Sequence, residues 1–398
     1  MVNRRTFISG TAGIALTSLL AGCSPAANAL KITVLQGSMP AEVLQNFQKQ
    51  SDLPVSFQLA GQIQSIFQQL QRWQQPAESS GFSWGRLLPW AQPEESIGPN
   101  ALVSLGDYWL EEAIAQNLID PIELSQESLE PLPPAWQQFT RRGKDGQMTG
   151  QLTAEQATTA GQASQLWAVP YRVQTLVIVY RQSFFPKSSP AKPPFQSWQD
   201  LLQPQLRQQI ALPEHPRLVM GLLQKLQNGS FNLPLETAAT SQLHQQLKAA
   251  FAELNAQVKT YDSTNALKAL VNKDVKAVVA WSGDVVPALR RYQDLKIIVP
   301  AEGSLLSADL WVRPRGADMT EAAKRWIEFC WQRGPATQIS SSGRGISPVF
   351  LSESAEIPDA LAESIVPVSA LQNSEPLLPI PEATATAYFD LWQQLRSS

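Results

Sequence analysis

The chain has 398 residues, 43% of them apolar and only 16% charged, where soluble domains carry roughly 25% charged residues. Its net charge of −3 provides no basic face to neutralise phosphates, which excludes nucleic acid as a partner class. Two His and two Cys leave no material for a multi-His metal centre, a zinc ribbon or a disulfide scaffold, so no metal or cofactor is expected.

Residues 1–22 read as an export signal, to be set aside before any fold reasoning. Arg4 and Arg5 precede Thr6-Phe7-Ile8, a twin-arginine pattern. The apolar stretch from Ile8 to Leu20 is too short for a comfortable membrane span, which needs ~20 residues. It runs into Leu20-Ala21-Gly22-Cys23, which resembles a bacterial lipobox. Cys23 is then the lipidation site, and residues 23–30 form a tether whose Ser24 to Asn28 are small and polar.

From Lys31 short apolar runs alternate with amphipathic stretches, the pattern of α/β architecture. Ile32 to Leu35 and Val55 to Leu59 read as strands, each followed by a helix. Pro40 can begin the first helix, and Ile63, Ile66, Phe67, Leu70 and Trp73 form one face of the second. Leu102 to Leu105 is a strand before a helix through Tyr108 to Asn117. The polar tract from Arg141 to Ser164 has no periodicity and predicts an inserted loop. Leu166 to Tyr180, dense in β-branched and aromatic residues, predicts one or two long strands broken near Pro170.

A second unit follows, with strand Ile210 to Leu212, helix Arg217 to Leu226, helix Thr264 to Asn272 and strand Ala277 to Ala280. Strands at Lys296 to Val299 and Ala308 to Val312 precede helices at Thr320 to Trp331 and Glu382 to Leu395. Crossings near 166–172 and 300–312 predict two lobes that exchange the chain. Lobe I takes residues 31–168 and 308–352, and lobe II takes 169–307 and 353–398. After the leader no segment is long and apolar enough to span a membrane.

The search for chemistry finds no nucleophile elbow, phosphate-cradling loop or dinucleotide turn. His215, between Glu214 and Pro216, and His244, on a Gln-rich helix face, have no neighbouring nucleophile and suit surface or capping roles. Cys330 lies in the apolar periodic stretch that begins at Trp326 and reads as a buried core thiol. A hydrolase using a carboxylate pair stays open, because the acids are many and none stands out. Trp281 ends a strand before the turn Ser282-Gly283-Asp284, while Trp84 and Trp90 flank a Gly/Pro-containing loop. Aromatic faces at loop edges suit stacking on small ligands or cations.

Several segments occur in a telling order. They are Trp167-Ala168-Val169-Pro170-Tyr171 with Thr175 and Val179-Tyr180, then Ser197 to Leu202, Ile210 to Leu212 and Pro216-Arg217. Ala280-Trp281-Ser282-Gly283, Pro300 to Gly303 with Asp309, and Ala322 to Trp331 complete the series. Together they resemble the bacterial periplasmic solute-binding proteins of ABC importers, spermidine/putrescine-binding type. The resemblance implies an α/β periplasmic-binding-protein fold of two lobes, with hinge strands and a ligand cleft between them. It implies a lipid-anchored, periplasmic, monomeric substrate-binding protein that is not an enzyme. Such a protein captures a small solute by hinge closure and delivers it to a membrane permease with its ATPase subunits.

The resemblance carries Trp281 over as a stacking ring and Asp309 as an anion for the solute. Tyr171, Arg172, Ser38, Gln36, Ser282 and Ser307 complete the expected cleft. The chain also departs from the polyamine pattern. It has Gln36-Gly37-Ser38 and Ser307 where aromatics are usual, Glu214, His215 and Leu218 in the stretch where a carboxylate pair is usual, and the added cation Arg172. An anionic, zwitterionic or neutral solute therefore stays open beside a polyamine, as does a sensor or scaffold that no longer transports.

Overall fold

Apolar runs separated by amphipathic helices need a buried sheet with helices on its faces. The computed structural model builds one over the residues it describes, 29–51, 54–61, 63–74, 100–147, 164–185, 193–232, 240–342, 345–352, 355–362, 373–378, 380 and 382–397. Strand β1 (Leu30–Leu35) pairs in parallel with β2 (Val55–Ala60) and β3 (Leu102–Gly106). Helix Ala41–Gln50, with Pro40 at its N-cap, carries the chain from β1 to β2. Short strands β4 (Ile119–Asp120), β5 (Arg141–Arg142) and β6 (Gln165–Leu166) lead to the long strand β7 (Ala168–Arg181). Then come β8 (Ile210–Leu212), β9 (Val258–Tyr261), β10 (Ala277–Trp281), β11 (Leu295–Ile298), β12 (Leu305–Pro314) and β13 (Glu375–Pro376).

The strands form two half-sheets joined through β7. The path runs β2-β1-β3-β12-β7-β10-β8-β9, with β11 also on β7. From Ala168 to Thr175, β7 pairs antiparallel with β12; from Leu176 onward it pairs with β10, and from Ile178 with β11. Each half has its own core. Phe47, Tyr171, Trp311 and Trp326 pack together in the first, and Phe195, Trp198, Phe231 and Phe251 in the second. Burying a large apolar side chain contributes roughly 1.5–3 kcal/mol, so these clusters fix both halves. Cys330 is fully buried in the first core, as expected, and burial pushes its thiol pKa up.

Two expectations need correction. The run from Leu166 breaks at Trp167, between β6 and β7, and not at Pro170, which lies inside a single strand of 14 residues. The β12 register shifts between Asp309 and Leu310, so that Arg172 faces Asp309, Pro170 faces Leu310 and Tyr171 has no opposite number. A bulge of this kind accommodates a proline, which has no N–H to give the ladder. The Pro170 carbonyl in turn accepts from Trp331 Nε1 at 2.9 Å. The tract from Arg141 is likewise not loop from its first residue, because β5 pairs antiparallel with β6 and closes its base; residues 148–163 lie outside the described residues.

The end of the chain returns to the second half. Glu375 on β13 accepts from Ser230 Oγ and the Phe231 N–H at 2.7 Å and from Asn232 Nδ2 at 2.8 Å. Helix Glu382–Ser397 adds Tyr388, Leu391 and Trp392 to the second core. Gly303, at φ +86°, permits this return: a Cβ there would clash with the Asn373 carbonyl oxygen. His215 caps helix Pro216–Asn228, its Nδ1 accepting from the Leu218 N–H at 3.4 Å, in keeping with its expected role. Among the described residues no helix is long and apolar enough to cross a membrane.

Candidate functional site

The chain passes between the half-sheets where β7 changes partners, at Thr175 and Leu176. The Thr175 N–H donates to Ser282 Oγ at 3.1 Å, and its Oγ1 donates to the Leu305 carbonyl at 3.1 Å. Ser304 Oγ donates to the Leu176 carbonyl at 2.6 Å. Both crossing segments are thus stitched together at one level. Trp281 faces Leu176 across the β10–β7 ladder and then turns the chain from strand into helix Ser282–Arg291. Its ring is half-buried against the second core. Asp284, in the first turn of that helix, is exposed.

Arg172 and Asp309 meet beside this crossing. Both are buried, at 4% and 7% exposure. Arg172 Nε donates to Asp309 Oδ2 at 2.5 Å, and Nη2 pairs with the same oxygen. Burial pulls the Arg172 pKa down, but the attraction and hydrogen bond of Asp309, with Tyr171 and Asp284, together outweigh it and the net shift is upward. The two groups expected to meet a solute's charges therefore meet each other.

Tyr171 is fully buried and stacks on Trp311, with ring centroids 4.3 Å apart and planes at 20°. Its hydroxyl donates to Ser38 Oγ at 2.7 Å and lies 2.7 Å from Ser104 Oγ. Burial pushes the phenol pKa up. This trio ties the end of β1 to β3 and β7. Gln36 is exposed just beyond β1, its N–H on the Ala60 carbonyl at 2.8 Å. Ser307 is partly exposed on β12. Of the eight expected cleft residues, Ser38 with Tyr171, Arg172 with Asp309, and Ser282 on the Thr175 N–H are buried, while Gln36, Trp281 and Ser307 reach solvent.

Sequence reasoning missed Asp107, which follows β3 directly and is 3% exposed. Its carboxylate accepts from the Tyr108 N–H at 2.8 Å, Ser307 Oγ at 3.1 Å and the Ala308 N–H at 2.9 Å. Burial raises its pKa to about 7, with repulsion from Asp309 adding to the rise and the three hydrogen bonds opposing it. Tyr108, beside it, packs against the second core and so reaches from one half to the other. The available signal was position: an acid at the carboxyl end of a buried strand, where α/β folds hold ligands. Behind Asp107 stands Arg142, 3% exposed, its guanidinium 5.2 Å from the Phe139 ring centroid and its pKa lowered to about 10 by burial.

Chemically, the junction offers a half-exposed indole, several hydroxyls and a neutralised ion pair. Among the described residues no group of His, Cys, Asp and Glu could hold a metal ion. Cys23, Arg4, Arg5, Trp84 and Trp90 lie outside the described residues.

Comparison with solved structures places this architecture. The chain is similar to the spermidine/putrescine ABC transporter substrate-binding protein PotD of Streptococcus pneumoniae, with 17% identity and a TM-score of 0.69 over 93% of this chain and 98% of that one. The TpPotD lipoprotein of Treponema pallidum matches at 14% identity and 0.63, over 93% and 100%. The apo ferric-ion-binding protein A of Pasteurella haemolytica matches at 12% and 0.57, over 93% and 98%. At such identities the likeness establishes the mixed α/β periplasmic-binding-protein fold. No curated protein sequence matches the chain significantly. Residues 99–365, well over half of the chain, match the model of a family described as bacterial extracellular solute-binding protein. The chain is therefore a member of the bacterial extracellular solute-binding proteins, a family that binds solutes and does not transform them.

Proposed function

We propose that this protein is the solute-capturing component of an ABC importer, holding a small organic solute between its two half-sheets. The observation that carries the reading is the position of Trp281. Its half-exposed indole ends β10 opposite Leu176, beside both crossing segments. Rotation about those segments would carry one half-sheet toward the other and close the ring over a solute. The two half-sheets, which meet at Thr175 and Leu176 rather than at the 168/169 boundary drawn from the sequence, are the two bodies that move. The leader with Arg4 and Arg5 exports the chain, Cys23 anchors it outside the cytoplasm by lipid, and a permease with its ATPase receives the solute.

The similarity to polyamine-binding structures supports a polyamine-like solute. One observation favours a second reading, a neutral or zwitterionic solute: Arg172 already neutralises Asp309. A dication needs carboxylates that are free to pair. A thermal-shift panel of polyamines, amino acids, sugars and organic anions tests the function and sorts the two readings. Ligand at ~100 times its dissociation constant adds roughly 2.7 kcal/mol of stability. A shift with any compound supports capture, and its chemistry chooses the class; a panel without any shift favours a scaffold that has lost its solute.

A further inference from the structure

Arg172 and Asp309 face each other across the β7–β12 ladder, immediately before the register shift. A bulge re-aims the side chains beside it, and here Nε and Nη2 of the guanidinium converge on the single oxygen Oδ2. The stem of Arg172 is walled in as well. A Cβ on Gly345 would stand 2.9 Å from Arg172 Cγ and 2.6 Å from the Val173 carbonyl oxygen, so the chain lies this close only as glycine. Ile346 pins that segment to β7, exchanging both backbone hydrogen bonds with Val173, at 2.7 and 2.8 Å. Asp284, in the first turn of the helix after Trp281, attracts the same guanidinium from the second half. We propose that Arg172 is a tethered counter-ion: its guanidinium fills, on Asp309, the place that the cationic head of a solute would take, and so sets the junction against cationic solutes.

This role rests on the junction being the solute site, and it favours an uncharged solute there over a polyamine-like one. An ammonium from solution competes with a cation whose local concentration is fixed by its own chain. Displacing it would also leave Arg172, at 4% exposure, buried without its anion and beside a second positive charge. Both effects penalise a cation and neither penalises an uncharged solute, which is how a site gains specificity against the wrong partner. Asp107, the other buried acid at the junction, is already engaged by three donors. Removing the guanidinium should therefore turn the pair into a cation site. Asp309 stays, and the space left by the lost side chain admits a small amine or guanidine.

Calorimetric titration of the full chain with putrescine and with ethylguanidinium, in the wild type and in Arg172→Ala, tests this. Both cations are expected to bind Arg172→Ala at least about tenfold more tightly than the wild type. Adding Asp309→Asn to that variant should remove the gain. Should Arg172→Ala fail to fold, Arg172→Gln keeps a donor on Asp309 without the charge, and a gain in the same direction is expected. Wild-type protein that binds putrescine as tightly as a folded variant would overturn the counter-ion. So would a folded variant without any gain, or a gain that survives Asp309→Asn. A gain in the variants, with no compound of any class binding the wild type, would support the counter-ion and sink solute capture alone. No gain, in a protein whose wild type binds an uncharged solute, would overturn the counter-ion alone.

Discussion

Arg172 and Asp309, 137 residues apart in the chain, neutralise each other at the junction of the two half-sheets. Removing one member leaves the other buried without its partner. Arg172→Ala or Asp309→Ala is expected to destabilise the protein by roughly 3–5 kcal/mol, whereas the double change Arg172→Met with Asp309→Leu costs far less. Urea unfolding of the three variants checks this. Single variants as stable as the wild type would mean that the pair is open to water.

Asp107 makes its own contribution to the pH dependence of stability. Its folded-state pKa lies above the unfolded value, so the folded protein binds the proton more tightly. The contribution of this group is then greatest below about pH 4, falls as pH rises toward about 7 and levels off above, a loss on the order of 4 kcal/mol from Asp107 alone, opposite in sign to the carboxylates whose pKa is lowered, such as Asp294. Unfolding of the wild type and of Asp107→Asn across that window isolates its share. The difference between them should shrink steadily as the buffer is made more acid; a constant difference would contradict the assignment.

The elements were legible where burial alone decides structure. The periodic face from Ile63 to Trp73 and the apolar runs of β1, β3 and β10 folded as their spacing required. Pro170 misled because a bulge is a property of two strands, and its partner lies some 140 residues on at Asp309 and Leu310. The couplings among the expected site residues were hidden. Trp281, Arg172 and Asp309 stand out as residue types, yet nothing local says that two of them pair. Asp107 carried no motif, since its meaning depends on Ser307 and Ala308, brought beside it only by the antiparallel pairing of β12 with β3.

Lipid anchoring rests on the four residues Leu20-Ala21-Gly22-Cys23. Cys23→Ala should move the protein from the membrane fraction to the soluble extracytoplasmic fraction after cell fractionation. Labelling with a radioactive fatty acid should be lost in the same variant. Undiminished membrane retention would remove the anchor from the picture while leaving the solute site untouched.

Solute capture at the junction is tested most directly by calorimetric titration of the first solute that raises the melting temperature, into wild-type protein and Trp281→Ala. Because the indole is only half-buried at the end of β10, its removal should leave the fold intact. The expected result is one site per chain in the wild type and a loss of at least roughly tenfold in affinity in the variant, the worth of about 1.4 kcal/mol of lost contact. Equal affinity in the two proteins would put the solute elsewhere and contradict the assignment of the junction as the binding site.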